Sequence, residues 1–187
     1  MRWERLIEEI GARLDQEERE ARDAEIADRI RREVAQIAML DRLRAAEGQG
    51  VVLHLAPDRV HRGTIRQVGA DWLLIAEPAG ECLVALRHVQ TIDGLGTLTA
   101  AALQAPARRI FEGMDLRYAL RGIAVDRAQV RVGLAGGAEL TGTIDRVGAD
   151  FIDVAIHAVG ELRRSSQVTG RTTIALPALV EVVRLGG

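Results

Sequence analysis

A stretch of twenty-seven residues occurs twice, and this repeat constrains the fold more than any other feature of the chain. Val51 to Glu77 lies over Val130 to Ile156 without a gap, seventy-nine positions on, with eleven identities in twenty-seven positions. The phrase Gly-Thr-Ile-x-x-Val-Gly-Ala-Asp-aromatic stands at 63–72 and again at 142–151. Chance does not supply such a match. The two regions are an internal duplication, and both copies are expected to adopt one fold.

Each copy reads as short strands. Val130, Val132 and Leu134 alternate with Arg131 and Gly133, and Ile152, Val154 and Ile156 alternate with Asp153 and Ala155, the period of a strand with one buried face. Gly136-Gly137 is a strong hairpin signal, and Pro57-Asp58 is its counterpart in the first copy. Beyond the matched block, Leu83–Ile92 corresponds to Thr173–Val182. The second copy therefore carries about eleven extra residues within 157–171, a surface loop that holds Arg163 and Arg164. Four or five strands in about fifty residues predict a small closed β-barrel, which leaves no open edge.

The flanking segments read as helix. Residues 1–47 hold ten Arg against thirteen Asp or Glu and contain no Pro. Ile26, Ile30, Val34, Ile37, Leu40 and Leu43 step by three or four and trace one narrow apolar stripe. Such a stripe must bury against a partner helix or the following barrel. Residues 97–127 form a linker in which Ile110, Met114, Leu116, Leu120 and Ile123 make a second amphipathic helix. Five Arg in residues 107–127, Arg108 and Arg109 among them, make it the most basic helix of the chain.

Composition excludes several functions. The net charge of −2 argues against a protein devoted to wrapping phosphate backbone. Two Trp, one Tyr and two Phe are too few for a broad base-stacking platform. Every basic residue is Arg, so no P-loop lysine exists, and Gly94-Leu-Gly96 lacks a third glycine. Cys82 is the single cysteine, which excludes an internal disulfide and suggests a reducing, cytoplasmic setting. No window approaches eighteen apolar residues, so no membrane span is expected.

The pattern of helix, five strands, a glycine on the second strand and an Asp at the turn into the third resembles the Sm-like family of SH3-like barrels. The second copy carries it best, in Val130–Ile144 followed by Val147-Gly-Ala-Asp150-Phe-Ile. The whole arrangement also resembles a group of high-GC bacterial proteins with an acidic helical N-terminus. The Sm-like resemblance implies RNA binding, ring assembly by edge-strand pairing, or service as a protein-interaction module. Arg87-His88 falls where the host factor Hfq has an RNA-contacting Lys-His pair, whereas the second copy has Pro177-Ala178 there.

The fold expected is α+β, mainly β. It has an N-terminal helix over 1–47, a first Sm-like barrel over 48–96, a helical linker over 97–127 and a second barrel over 128–187. The function expected is a non-catalytic interaction or scaffold module that self-associates or binds a protein partner through Ile26, Ile30, Val34 and Ile37. The alternative is RNA binding through Arg87, His88, Arg108, Arg109, Arg163 and Arg164. No catalytic residue, cofactor or small-molecule substrate is expected. No metal site is expected either, because His54, His61 and His88 are not spaced as ligands and their counterparts are Gly133, Leu140 and Ala178. His61, which aligns with Leu140, is expected to be partly buried with a hydrogen-bond partner, and Cys82 to be a small buried hydrophobe. Asp71 and Asp150 are expected to accept from backbone amides near their turns. Trp72 and Phe151, at equivalent positions, are expected to be buried.

Overall fold

The computed structural model describes residues 2–101, 103–157 and 169–185, with only some side chains over 2–15. Two compact bodies result, Met1–Ala38 and Met39–Gly187. The first holds the helix α1 (Arg2–Val34). The second holds the helices α2 (Met39–Ala45), α3 (Ala105–Gly113) and α4 (Leu116–Asp126) with all ten strands. The predicted stripe is thus divided. Ile26, Ile30 and Val34 lie on α1, whereas Leu43 on α2 is fully buried in the second body with Leu40 beside it. The helix closes after Val34 with the short bonds Gln36 N–H to Glu33 O and Ile37 N–H to Val34 O.

The strands of the first copy are β1 (Gly50–Leu55), β2 (Arg59–Val68), β3 (Trp72–Glu77), β4 (Gly80–Ala85) and β5 (Val89–Asp93). Those of the second are β6 (Gln129–Leu134), β7 (Glu139–Val147), β8 (Phe151–Ile156), β9 (Gly170–Ala175) and β10 (Leu179–Arg184). Registers repeat at the seventy-nine-residue offset. Val51 faces Gly63 as Val130 faces Gly142, and the bulge after Ile65 recurs after Ile144. Shared glycines have a shared cause. A Cβ on Gly63 would lie 2.4 Å from the Ala76 carbonyl oxygen, and on Gly142 2.0 Å from that of Ala155. At the first turns, Asp58 and Gly137 are equivalent and both have positive φ, 46° and 84°.

Two separate closed barrels, the sequence expectation, do not form. All ten strands belong to one antiparallel sheet in the order β5-β1-β2-β3-β4-β10-β6-β7-β8-β9. Closing a barrel within a copy would return β4 to β5, but β4 pairs instead with β10, Cys82 opposite Val183 and Val84 opposite Glu181. The reason lies in the two strands. Cys82-Leu83-Val84-Ala85 and Leu179-Val180 with Val182-Val183 are apolar at successive positions, so both faces of each strand must be covered. Cys82, Val84, Val180 and Val183 enter one core, while Leu83, Ala85, Leu179 and Val182 enter the other. The end strands are unlike them. Gln90, Thr91 and Asp93 on β5 and Arg171 and Thr172 on β9 are polar and suit an edge.

Each half receives a helix at the same place. α2 packs on β2 and α4 on its equivalent β7. Leu43 is buried in the first core and Leu116 and Leu120 in the second. Burying a leucine side chain contributes roughly 1.5–3 kcal/mol toward holding each helix against its strand.

Candidate functional site

The joint between β4 and β10 carries a buried polar cluster. His61 on β2, Glu77 on β3 and Glu181 on β10 converge beside Cys82 on β4. His61 Nε2 lies 2.5 Å from Glu181 Oε2, and His61 Nδ1 lies 3.1 Å from Glu77 Oε1. Ionised carboxylates only accept, so His61 donates to both of them when each ring nitrogen carries a proton. Arg59 Nη1 closes the network, donating to Glu181 Oε1 at 2.6 Å and to Glu139 Oε1 at 2.8 Å. Glu77 Oε1 also accepts from the Arg62 amide at 3.2 Å.

Electrostatics follows this geometry. The bond to Glu181 raises the imidazole pKa of His61 above its ordinary value, against the opposing pull of burial. Burial would raise the Glu181 carboxyl, but the bonds and charges of His61 and Arg59 outweigh it and hold the group below the usual carboxylate range. Burial pushes the Cys82 thiol up, and the charges of Glu181 and Glu77 add to the effect. Cys82 is fully buried, and its Sγ makes no hydrogen bond among the described residues. A thiol held up in this way is a poor nucleophile.

The sequence candidates fall in several places. Arg87 and His88 lie in the short 3-10 turn Leu86–His88, which sits against the second copy. The Arg87 guanidinium donates to the Leu176 carbonyl, and at 3.1 Å to that of Leu179. His88 bonds the Pro177 carbonyl at 3.1 Å, and burial lowers its pKa. Both side chains therefore help fasten the halves together. Arg108 and Arg109 are exposed on α3, where Arg108 pairs with Glu112 at 2.9 Å. Arg163 and Arg164 lie outside the described residues. Ile26, Ile30 and Val34 are 56%, 53% and 59% exposed, and Ile37, past the end of α1, is 40% exposed.

Other expectations are refined. Asp71 accepts from a backbone amide, but a distant one. Its Oδ1 takes the Leu116 N–H at 2.6 Å and so caps α4. The turn is held by backbone instead, with Leu86 N–H on Asp71 O and, equivalently, Leu176 N–H on Asp150 O. Trp72 is buried and donates to the Met114 carbonyl at 2.9 Å, whereas Phe151 is half-buried. Each ring covers the glycine three residues before it, and a Cβ there would lie 2.2 or 2.3 Å from the ring.

Two clefts were not foreseen. One, of about 900 Å³, is lined by Arg121, Arg127, Arg146 and Arg171 with Asp145 and Asp153. The other, of about 720 Å³, is more apolar and includes Trp72, Leu74, Tyr118 and Val125. Sequence spacing missed the polar cluster because its members meet across strands. A signal was present in the repeat: Arg59, His61, Glu77 and Glu181 stand opposite Ala138, Leu140, Ile156 and Thr91. All four counterparts are uncharged, and that is the trace the cluster leaves in the sequence. No family model, curated protein or solved structure matches this chain.

Proposed function

We propose that this chain is a non-catalytic interaction module, with α1 as its association surface and a second copy of the chain as its first partner. One observation carries the reading. Ile26, Ile30 and Val34 recur at every fourth position of α1 and are each more than half exposed. Ion pairs occupy neighbouring positions, among them Arg29–Glu33 at 3.1 Å and Arg22–Glu18 at 3.0 Å. A narrow apolar seam bordered by charges of both signs is the surface of a helix that pairs with another helix, and the bordering charges set orientation. The five strands of each half, following a helix, support the Sm-like resemblance in a form without closed barrels. Cytoplasmic residence goes with this reading, since the only cysteine is unpaired. No described helix is long and apolar enough to cross a membrane.

Light scattering of the full chain tests this. A dimer of the 20.3 kDa chain is expected, and Ile30→Asp should halve the mass. A monomer at tens of micromolar would remove the proposal.

RNA binding is a second reading, favoured by the four arginines of the larger cleft. Two are committed in part, Arg146 to Asp153 at 3.7 Å and Arg171 to Asp145 at 3.9 Å. Retention of mixed-sequence RNA on a filter should fall steeply with salt and weaken in Arg127→Ala. Salt-independent retention, or none, would exclude it.

A further inference from the structure

The geometry points to a site for a borderline transition-metal ion, Zn²⁺ by donor chemistry, built from His61 Nδ1, a Glu77 carboxylate oxygen and Cys82 Sγ. One ligand atom from each of these three residues lies within 4.8 Å of the other two. They come from three neighbouring strands, β2, β3 and β4, whose pairing is fixed by the surrounding ladder. Zinc bonds of about 2.0–2.3 Å in a tetrahedron need donors roughly 3.3–3.8 Å apart, so a pair at the 4.8 Å limit would close by about 1.0–1.5 Å. His61 Nδ1 and Glu77 Oε1, at 3.1 Å, are already that close.

Two features separate this from a simple ion network. The first is Cys82. A network of Arg59, Glu181, His61 and Glu77 is complete without a thiol, yet the single cysteine of the chain lies at the cluster, fully buried and without a hydrogen bond among the described residues. Its counterpart in the other copy is Thr172, so the fold itself does not demand sulfur here. The second is Glu181. By accepting from Nε2 at 2.5 Å it leaves Nδ1 as the ring's ligand atom, the arrangement in which a carboxylate orients a metal-bound histidine.

The donor set selects the ion. One imidazole, one carboxylate and one thiolate suit Zn²⁺, Co²⁺ or Cd²⁺, and do not suit Mg²⁺ or Ca²⁺, which take oxygen. The thiolate and carboxylate neutralise a divalent charge. The ion takes the place of two protons, one from His61 Nδ1 and one from Cys82 Sγ, and both leave to solvent. Glu77, 19% exposed, offers the approach. Three protein ligands leave a fourth position for water.

Co²⁺ is the probe. Added to chelator-treated full-length protein, one equivalent should give a sulfur-to-cobalt charge-transfer band together with visible bands of four-coordination, and Zn²⁺ should bleach both. Cys82→Thr, which installs the residue of the equivalent position, should abolish the charge-transfer band while circular dichroism stays unchanged. His61→Gln should weaken Co²⁺ binding at least tenfold. Absence of the band in the parent chain, or its survival in Cys82→Thr, overturns the site. Should Cys82→Thr fail to fold, the parent titration decides alone, through the presence or absence of the sulfur band.

Discussion

Glu181, on the last strand, accepts a hydrogen bond at 2.5 Å from His61, on the second strand of the other copy, and this contact joins the two repeats through buried charge. Arg59 adds a second bond to the same carboxylate at 2.6 Å. Removing one partner of a buried charge network leaves the others unpaired, which costs about 3–5 kcal/mol. Glu181→Thr should destabilise the metal-free chain by that amount in urea unfolding. Replacing the whole network with its counterparts (Arg59→Ala, His61→Leu, Glu77→Ile, Glu181→Thr) should recover most of the loss, because apolar packing replaces a buried ion network at little cost. A fourfold variant less stable than Glu181→Thr would refute the network.

Gly142 tests the duplicated bend. An alanine Cβ there would sit 2.0 Å from the Ala155 carbonyl oxygen, which is backbone and cannot swing aside. Gly142→Ala should cost about 3 kcal/mol, in the upper range for overpacking, and Gly63→Ala a similar amount. Gly50 has nothing within 4 Å of its would-be Cβ, so Gly50→Ala should change stability by less than about 0.5 kcal/mol. Equal losses at all three positions would show that close approach is not the cause.

Asp115 gives a pH signature. Its Oδ1 accepts from the Tyr118 amide at 2.9 Å and its Oδ2 from Arg117 Nε at 2.7 Å. Burial pulls its carboxyl upward, but these bonds win and hold it below the ordinary 3.8. A carboxyl lowered by folding contributes stability above its unfolded value and loses it as pH falls through its folded value. Asp115→Ala should therefore cost about 0.5–2 kcal/mol near neutrality, the worth of an N-cap. The urea midpoints of parent and variant should converge at an acid pH below the folded value of this carboxyl. A gap that persists at that pH would assign the loss to packing.

Much of the fold was legible in residues 51–77 and 130–156, since matched glycines and alternating valines state both the strands and their repetition. The joint was less so. Leu83–Ile92 spans the end of β4, the 3-10 turn Leu86–His88 and most of β5, and the expectation of a closed barrel misses that Cys82–Ala85 has no polar face. A strand apolar on both sides belongs where both faces of the sheet are covered, and Leu179-Val180 with Val182-Val183 of the other copy suits the same central place. Helix breaks were also hidden. Leu40 and Leu43 continue the periodicity of Ile26 to Val34, and periodicity does not reveal which body an apolar residue joins. At the candidate site His61, expected to be partly buried with a hydrogen-bond partner, is 9% exposed and has two partners. Its partners Glu77 and Glu181 lie sixteen and one hundred and twenty positions away, and only strand order brings them within reach. Arg87 and His88 were singled out by resemblance, and their partners turned out to be the carbonyls of Leu176, Pro177 and Leu179.

The two copies share one sheet and are expected to unfold together. Native-state hydrogen exchange in low urea tests it most directly. The amides of Leu73 and Ile152, fully buried in different cores, should exchange through one opening, with the same free energy and the same dependence on urea. Glu181→Thr should lower both values equally. Two distinct free energies, with the second copy opening while the first stays closed, would contradict it.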